Sequence, residues 1–256
     1  MTVKRAALLL AVAAAVLLSA CGGDDEPTAT DTDTVTLPAL SAGEVYWIRD
    51  GKVWPAARKL PATNTETAAL EELFAGPTDQ EEADLEFDTA IPEQDESVEI
   101  SRLEISDGVA SFSPPHDLTR LALAQAVYTL TQFPTIESVD IDGQNYTRAD
   151  FEEQTPPVLV ESPLPFEDVT SPITATGTAN TFEATFHYTL TDTDGLIVDE
   201  NFVTATSGTG MRGTFEFTTD EYTVPFDGIG GLIVFERSAE DGSKMNIVEI
   251  PLRMSR

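Results

Sequence analysis

Apolar and polar positions divide the chain into four stretches with different periods. An unbroken apolar run from Ala6 to Leu18 follows Lys4 and Arg5. It is shorter than the roughly 20 residues that a spanning helix needs, so it reads as the core of a secretory signal peptide. From Gly22 to about Pro38 the chain is polar and acidic, rich in Thr, Asp and Pro. Such a segment cannot bury enough surface to order itself and is expected to be a tether. The third stretch, from about Gly43 to Phe151, mixes two periods. Val45-Tyr46-Trp47-Ile48 and Val53-Trp54 flank Asp50-Gly51, which predicts a hairpin, because glycine accepts the positive φ of a tight turn. Thr63-Asn64-Thr65-Glu66 reads as a capping box opening a helix. That helix carries Ala69, Leu70, Leu73 and Phe74 on one face and closes at Gly76-Pro77. A second hairpin is expected for Val98–Ile105 and Val109–Phe112 around Asp107-Gly108. A buried helix follows over Leu118–Leu130, then a strand at Val139-Asp140-Ile141 with a turn at Asp142-Gly143.

The fourth stretch, beyond Thr155-Pro156-Pro157, has only short alternating runs with turns between them: Ile173–Thr178, Ala184–Leu190, Leu196–Thr206, Gly213–Thr218, Gly231–Arg237 and Asn246–Leu252. Strands at that spacing predict a β-sandwich. The fold class is therefore α+β: a small mixed domain followed by an all-β immunoglobulin-like sandwich. The expected organisation is a signal peptide over residues 1–20, an acidic tether over 21–42, the mixed domain over 43–151 and the sandwich over 158–256, the two halves folding separately.

The end of the first apolar run adds an anchor. Leu18-Ser19-Ala20-Cys21 contains the single cysteine of the 256 residues. It resembles the lipobox of bacterial lipoproteins, which implies that Cys21 becomes the lipidated N-terminus. Two acyl chains hold a protein stably on a bilayer where one does not. The expected location is the extracytoplasmic face of the cell membrane, lipid-anchored. With its one thiol acylated, the mature chain has no disulfide and is stabilised by its cores alone.

Charge narrows the partners. Fourteen Lys and Arg against 45 Asp and Glu give a net charge of −31. Removing residues 1–20 takes Lys4 and Arg5 away, leaving 12 basic against 45 acidic residues and a charge of −33. Nucleic acid, which is bound through cationic contacts to phosphate, is excluded as a partner class. An acidic, lysine-poor surface fits either a saline habitat or the solubility of an exported protein.

Residues of the third stretch carry a family resemblance. Leu73-Phe74-Ala75-Gly76-Pro77-Thr78, Thr89-Ala90-Ile91-Pro92, Asp107-Gly108-Val109-Ala110 and Ala124-Gln125-Ala126-Val127-Tyr128-Thr129-Leu130-Thr131 resemble the GerMN domain, named from sporulation and germination proteins. In the fourth stretch, Ser171-Pro172-Ile173, Gly177-Thr178-Ala179, Phe182-Glu183-Ala184, Gly213-Thr214-Phe215 and Glu236–Ser243 resemble the immunoglobulin-like Gmad domain of bacterial germination proteins. The resemblances imply a small α+β domain, a sandwich and no established catalytic residues.

Candidate chemistry is sparse. The two histidines, His116 and His187, fall in different halves, too few for a metal site without carboxylates from both. No Gly-x-Ser-x-Gly elbow and no Gly-x-Gly-x-x-Gly loop occurs, and Ser207-Gly208-Thr209-Gly210 reads as a loop. Nine acids between Glu81 and Glu99 fit no calcium-loop spacing and read as a solvated acidic loop. Asp140-Ile141-Asp142-Gly143 and Asp192-Thr193-Asp194-Gly195 read as hairpin turns. Trp47 and Trp54 read as core, a sugar platform being the alternative. No catalytic residue, metal ligand or cofactor is expected. The function this supports is a non-enzymatic envelope protein acting as an interaction or assembly module, with other envelope proteins as partners. The alternative is a lipoprotein that binds cell-wall glycan. An exposed tryptophan pair favours glycan binding, and a buried carboxylate pair in a cleft favours hydrolysis.

Overall fold

The computed structural model describes residues 39–93 and 102–256. The signal peptide, Cys21, most of the tether, the start of the expected Val98–Ile105 strand, and Asp95, Glu96 and Glu99 lie outside the described residues. Among those described, no helix is long and apolar enough to cross a membrane.

The first half opens with a long hairpin, β1 (Leu40–Arg49) and β2 (Lys52–Pro61). Both turn residues have positive φ, 52° at Asp50 and 68° at Gly51, as the Asp-Gly pair predicts. Helix α1 (Thr65–Ala75) and helix α2 (Asp79–Leu85) follow. Two strands, β3 (Glu104–Ser106) and β4 (Val109–Phe112), then lead into helix α3 (Arg120–Leu130). Strands β5 (Ser138–Ile141) and β6 (Gln144–Tyr146) complete a sheet of order β3-β4-β5-β6. Its central pair, β4 and β5, is parallel, with α3 as the crossover between them. Helices α1 and α3 pack on the β1–β2 hairpin, and Trp47, Leu70, Leu73, Tyr128 and Val139 are among the buried residues of the core they form.

Two local expectations are corrected. The capping box is not at Thr63–Glu66: Asn64 is left-handed at φ 56° with no side-chain cap, and the Thr65 hydroxyl donates back to the carbonyl of Pro61 at 2.9 Å. A box forms instead at the start of the next helix, α2. There Thr78 Oγ1 accepts from Glu81 N at 3.3 Å, and Glu81 Oε2 accepts from Thr78 N at 2.8 Å. Glu81, Glu82 and Asp84 are accordingly on a helix, α2, and not in a solvated loop. Three acids in its first turn, Asp79, Glu81 and Glu82, suit the positive end of the helix.

The second half is a sandwich. Strands β7 (Val158–Ser162), β8 (Asp168–Val169), β9 (Thr174–Ala179), β10 (Thr185–Thr191), β11 (Ile197–Thr204), β12 (Gly213–Thr218), β13 (Gly228–Arg237) and β14 (Lys244–Met254) form two sheets, ordered β11-β10-β13-β14-β8 and β12-β9-β7. Alternation puts Phe186 and Tyr188 of β10 on the inner face, where they meet Phe215 and Phe217 of β12 at ring distances of 4.8 and 4.4 Å. Gly177 on β9 has no room for a side chain: a Cβ there would lie 2.1 Å from the carbonyl of Leu159.

Between the halves, a 3₁₀ turn over Arg148–Gln154 leads to Thr155-Pro156-Pro157. Phe151, Thr155 and Pro156 are buried, and Tyr128 Oη lies 2.8 Å from Thr155 Oγ1. Arg212, from the loop before β12, donates to both carboxylate oxygens of Glu152 (2.9 and 3.0 Å) and to the carbonyl of Pro156 (2.8 Å). The place where the sequence pattern changes is thus a packed, hydrogen-bonded seam.

Candidate functional site

Strand β1 owes its position to side chains of α3. Gln132, just past the helix end, accepts from Glu44 N at 2.6 Å and donates to Glu44 O at 2.5 Å. Thr129 Oγ1 accepts from Tyr46 N at 3.1 Å, and Gln125 Nε2 donates to Tyr46 O at 2.9 Å. Positions i, i+4 and i+7 of one helical face therefore act as a substitute strand for the edge of β1. Gly43 is needed beside it, because a Cβ there would lie 2.5 Å from Leu60 Cδ1.

This clamp sets Glu44 against the sandwich. Tyr46 Oη lies 3.1 Å from Glu44 Oε2 and 2.9 Å from Glu161 Oε1 on β7. Arg148 donates to the same Glu161 oxygen at 2.5 Å, and its guanidinium sits over the rings of Tyr128 (4.6 Å) and Tyr46 (5.7 Å). Burial pushes the Glu44 carboxyl up to about 7, helped by the neighbouring Glu161. Burial, Glu161 and Glu44 together hold the Tyr46 hydroxyl well above its ordinary range. Desolvation opposes the charge on Arg148, yet Tyr46 and Glu161 outweigh it and hold the guanidinium firmly protonated. The group borders a cleft of about 790 Å³, lined by β1, β2, Gln132, Glu161, Leu164 and Glu167. Both facing carboxylate oxygens lie near 3 Å from one hydroxyl, so they are at most about 6 Å apart. Sequence reasoning missed this pair, because Glu44 and Glu161 are ordinary acids in a chain of 45.

The residues singled out from the sequence do not converge. His116 is exposed before α3, and His187 lies on β10, its ring stacked on Phe235 at 5.6 Å. Burial and the nearby Arg237 lower the His187 pKa, keeping its charged form disfavoured. Trp47 and Trp54 face each other across the β1–β2 hairpin, and both are buried, at 0% and 9% exposure. Trp54 donates to the carbonyl of Arg49 at 3.0 Å. The tryptophans are core, and no sugar platform forms from them. Asp140 Oδ1 accepts from Gly143 N at 2.8 Å, and Asp192 Oδ1 accepts from Asp194 N and Leu196 N, both at 2.9 Å. These carboxylates cap turns, as their Asp-Gly contexts predict.

A second surface feature is the outer face of the five-stranded sheet. His187 is in register with Phe202 on β11 and Phe235 on β13. Phe202 is 62% exposed, Ile247 on β14 57% and Ile229 on β13 49%. Lys244 Nζ stands 4.1 Å above the Phe235 ring, with the Arg237 guanidinium 5.4 Å from it. This alternating half-apolar face has no covering element among the described residues.

Fold and site define a class: an α+β domain joined through a packed seam to an immunoglobulin-like sandwich. Residues 44–147 match the family described as sporulation and spore germination, and residues 157–243 match the immunoglobulin-like domain of bacterial spore germination. The first half is thus similar to the sporulation and spore germination family and the second to the immunoglobulin-like germination domain, as the sequence resemblances imply. Among solved structures, the tandem GerMN domains of the sporulation protein GerM from Bacillus subtilis are similar at 21% identity and a TM-score of 0.32, the match covering 43% of this chain and 42% of that one. No curated protein matches the chain.

Proposed function

We propose that the protein is a non-enzymatic, lipid-anchored component of the cell envelope that acts as an interaction or assembly module, related to sporulation and germination proteins. The observation that carries this reading is the row that crosses the outer sheet face from Phe202 through His187 and Phe235 towards Ile247, with Phe202 and Ile247 exposed at its two ends. Exposed apolar patches on monomeric proteins mark partner surfaces. Both domain families are named from sporulation or germination, which supports the cellular setting. The partners are other envelope proteins, and Cys21 supplies the membrane anchor.

The double substitution Phe202→Asp, Ile247→Asp tests the surface. A tagged chain crosslinked in cell membranes should lose its partners while its circular dichroism and melting temperature stay unchanged. Retention of the same partners by the folded variant overturns the reading. Cys21→Ser tests the anchor: the protein should leave the membrane fraction or remain unprocessed, and a processed variant that stays on the membrane overturns lipidation.

The Glu44–Glu161 pair favours a second reading, hydrolysis of glycan in the cleft, since paired carboxyls about 5 Å apart serve retaining glycosidases. Glu161→Gln separates the two. Loss of turnover on purified wall glycan supports hydrolysis, and the absence of turnover in the wild type supports the interaction module.

A further inference from the structure

The wiring of Tyr46 fixes a proton count. Its hydroxyl carries one hydrogen and can donate to one acceptor. The shorter contact, 2.9 Å, goes to Glu161, which already holds Arg148. The 3.1 Å contact to Glu44 then places two acceptors face to face unless Glu44 itself brings the hydrogen. A protonated Glu44 completes a chain in which Glu44 donates to Tyr46, Tyr46 donates to Glu161, and Glu161 takes the Arg148 guanidinium. The chain crosses from β1 of the first domain to β7 of the second.

We propose that a proton carried by Glu44 latches the two domains together, and that its release loosens the seam along the cleft between β1 and the 163–167 loop. Glu44 is positioned for this because its backbone is fixed at both N and O by Gln132, which holds the start of its side chain beside the Tyr46 hydroxyl. The groups that face it decide the sign. Glu161 on β7 and Glu167 beyond it repel the ionised form, and Arg148 favours it. Tyr46, on the same strand, bonds to it, and Arg58 and Lys59 of β2 line the same cleft. Burial and two acids outweigh the Tyr46 hydrogen bond and the Arg148 guanidinium, which Glu161 already occupies, so the neutral form is the one the closed seam keeps. Burial is what makes the balance hold near neutral pH: the carboxyl is raised from its ordinary 4.5 to about 7.

The sign of the pH effect follows. Between about pH 4.5 and 7 the folded chain keeps a proton that the unfolded chain has lost. Stability from this group is therefore full at acid pH and is lost as pH rises through the folded value. Glu44→Gln, which mimics the protonated acid, should match the wild type near pH 5 and melt at a higher temperature near pH 8. A gap between the two proteins that does not change with pH, or a variant less stable at pH 8, overturns the proposal. A direct measurement needs no variant. The side-chain carboxyl carbon of Glu44 in the wild type, followed by NMR, should titrate near 7, with faster amide exchange at Glu44 and Glu161 above that midpoint. A midpoint near 4.5 also overturns it. Glycan assays of wild type and Glu161→Gln read hydrolysis and are independent of this latch.

Discussion

The side-chain amide of Gln125 donates to the main-chain carbonyl of Tyr46 at 2.9 Å and accepts from the amide of Ala90 at 2.8 Å. One buried glutamine thus ties β1 to the segment after α2 by satisfying a main-chain group in each. Gln125 is fully buried, so no water can replace it. Gln125→Leu leaves two buried polar groups without partners, each costing about 1–3 kcal/mol. We expect the variant to lose about 2–4 kcal/mol by urea denaturation. A loss under 1 kcal/mol shows that β1 is held by other contacts.

Arg58 and Glu81 make a second long-range tie. The guanidinium meets both oxygens of Glu81 at 2.6 and 2.7 Å, and each side chain is 13% exposed. Burial alone raises the Glu81 carboxyl; Arg58 and the Thr78 amide outweigh it and hold it below the usual range. A depressed carboxyl stabilises the fold above its unfolded pKa, and the contribution is lost as pH falls through the folded value. Glu81→Gln should therefore cost about 1.5–3 kcal/mol at pH 7, the range of a charged hydrogen bond. Its deficit should shrink as pH falls below about 4.5, where the acid of the unfolded chain begins to take up a proton, and go on shrinking as the folded acid protonates at lower pH. Melting curves at pH 7 and pH 3 check both statements, and an equal deficit at the two pH values contradicts them.

The sandwich depends on one missing side chain. Gly177→Ala would drive a methyl into the backbone carbonyl of Leu159, with Phe215 Cζ 2.9 Å away on the other side. Backbone cannot rotate aside as a side chain can, so β7 and β9 must separate. Overpacking of this kind costs about 3 kcal/mol or more. Calorimetry should show a lowered melting transition, and an unchanged transition would show that β7 can shift.

The seam at Pro156–Pro157 should resist proteases while Arg212 holds Glu152 and the Pro156 carbonyl. Arg212→Met keeps the aliphatic stem and removes the three donors. Limited proteolysis of that variant should yield fragments cut between 152 and 160 that the wild type does not give. If both proteins are cut there at the same rate, the guanidinium does not close the seam.

The local signals were legible where a few adjacent residues decide the backbone. Asp50-Gly51, Asp107-Gly108 and Asp142-Gly143 all adopt positive φ at both positions, because a two-residue hairpin turn demands it whatever lies around it. The alternation Thr214-Phe215-Glu216-Phe217 placed β12 at Gly213–Thr218, since one face meets the other sheet. Where two local readings compete, the sequence misleads. Thr63-x-x-Glu66 and Thr78-x-x-Glu81 match the same capping pattern, and only the second forms. Asn64 turns left-handed, and the Thr65 hydroxyl bonds backward to Pro61. Helix α2 was hidden for a related reason: its acids read as solvated until Arg58, on a different element, pairs with one of them.

The sequence by itself determined the order of elements, the hairpin turns, the change from a mixed to an all-β pattern near Pro156, and the family resemblance of each half. Those features follow from contacts a few residues long. The tertiary structure alone decided that Gln125, Thr129 and Gln132, polar residues in an apolar helix pattern, serve the edge of β1, and that Tyr46 meets Glu161, 115 positions away. Neither Glu44 nor Glu161 differs from the other acids as a residue type. What distinguishes them is burial against each other beside one hydroxyl, and burial is a property that packing confers.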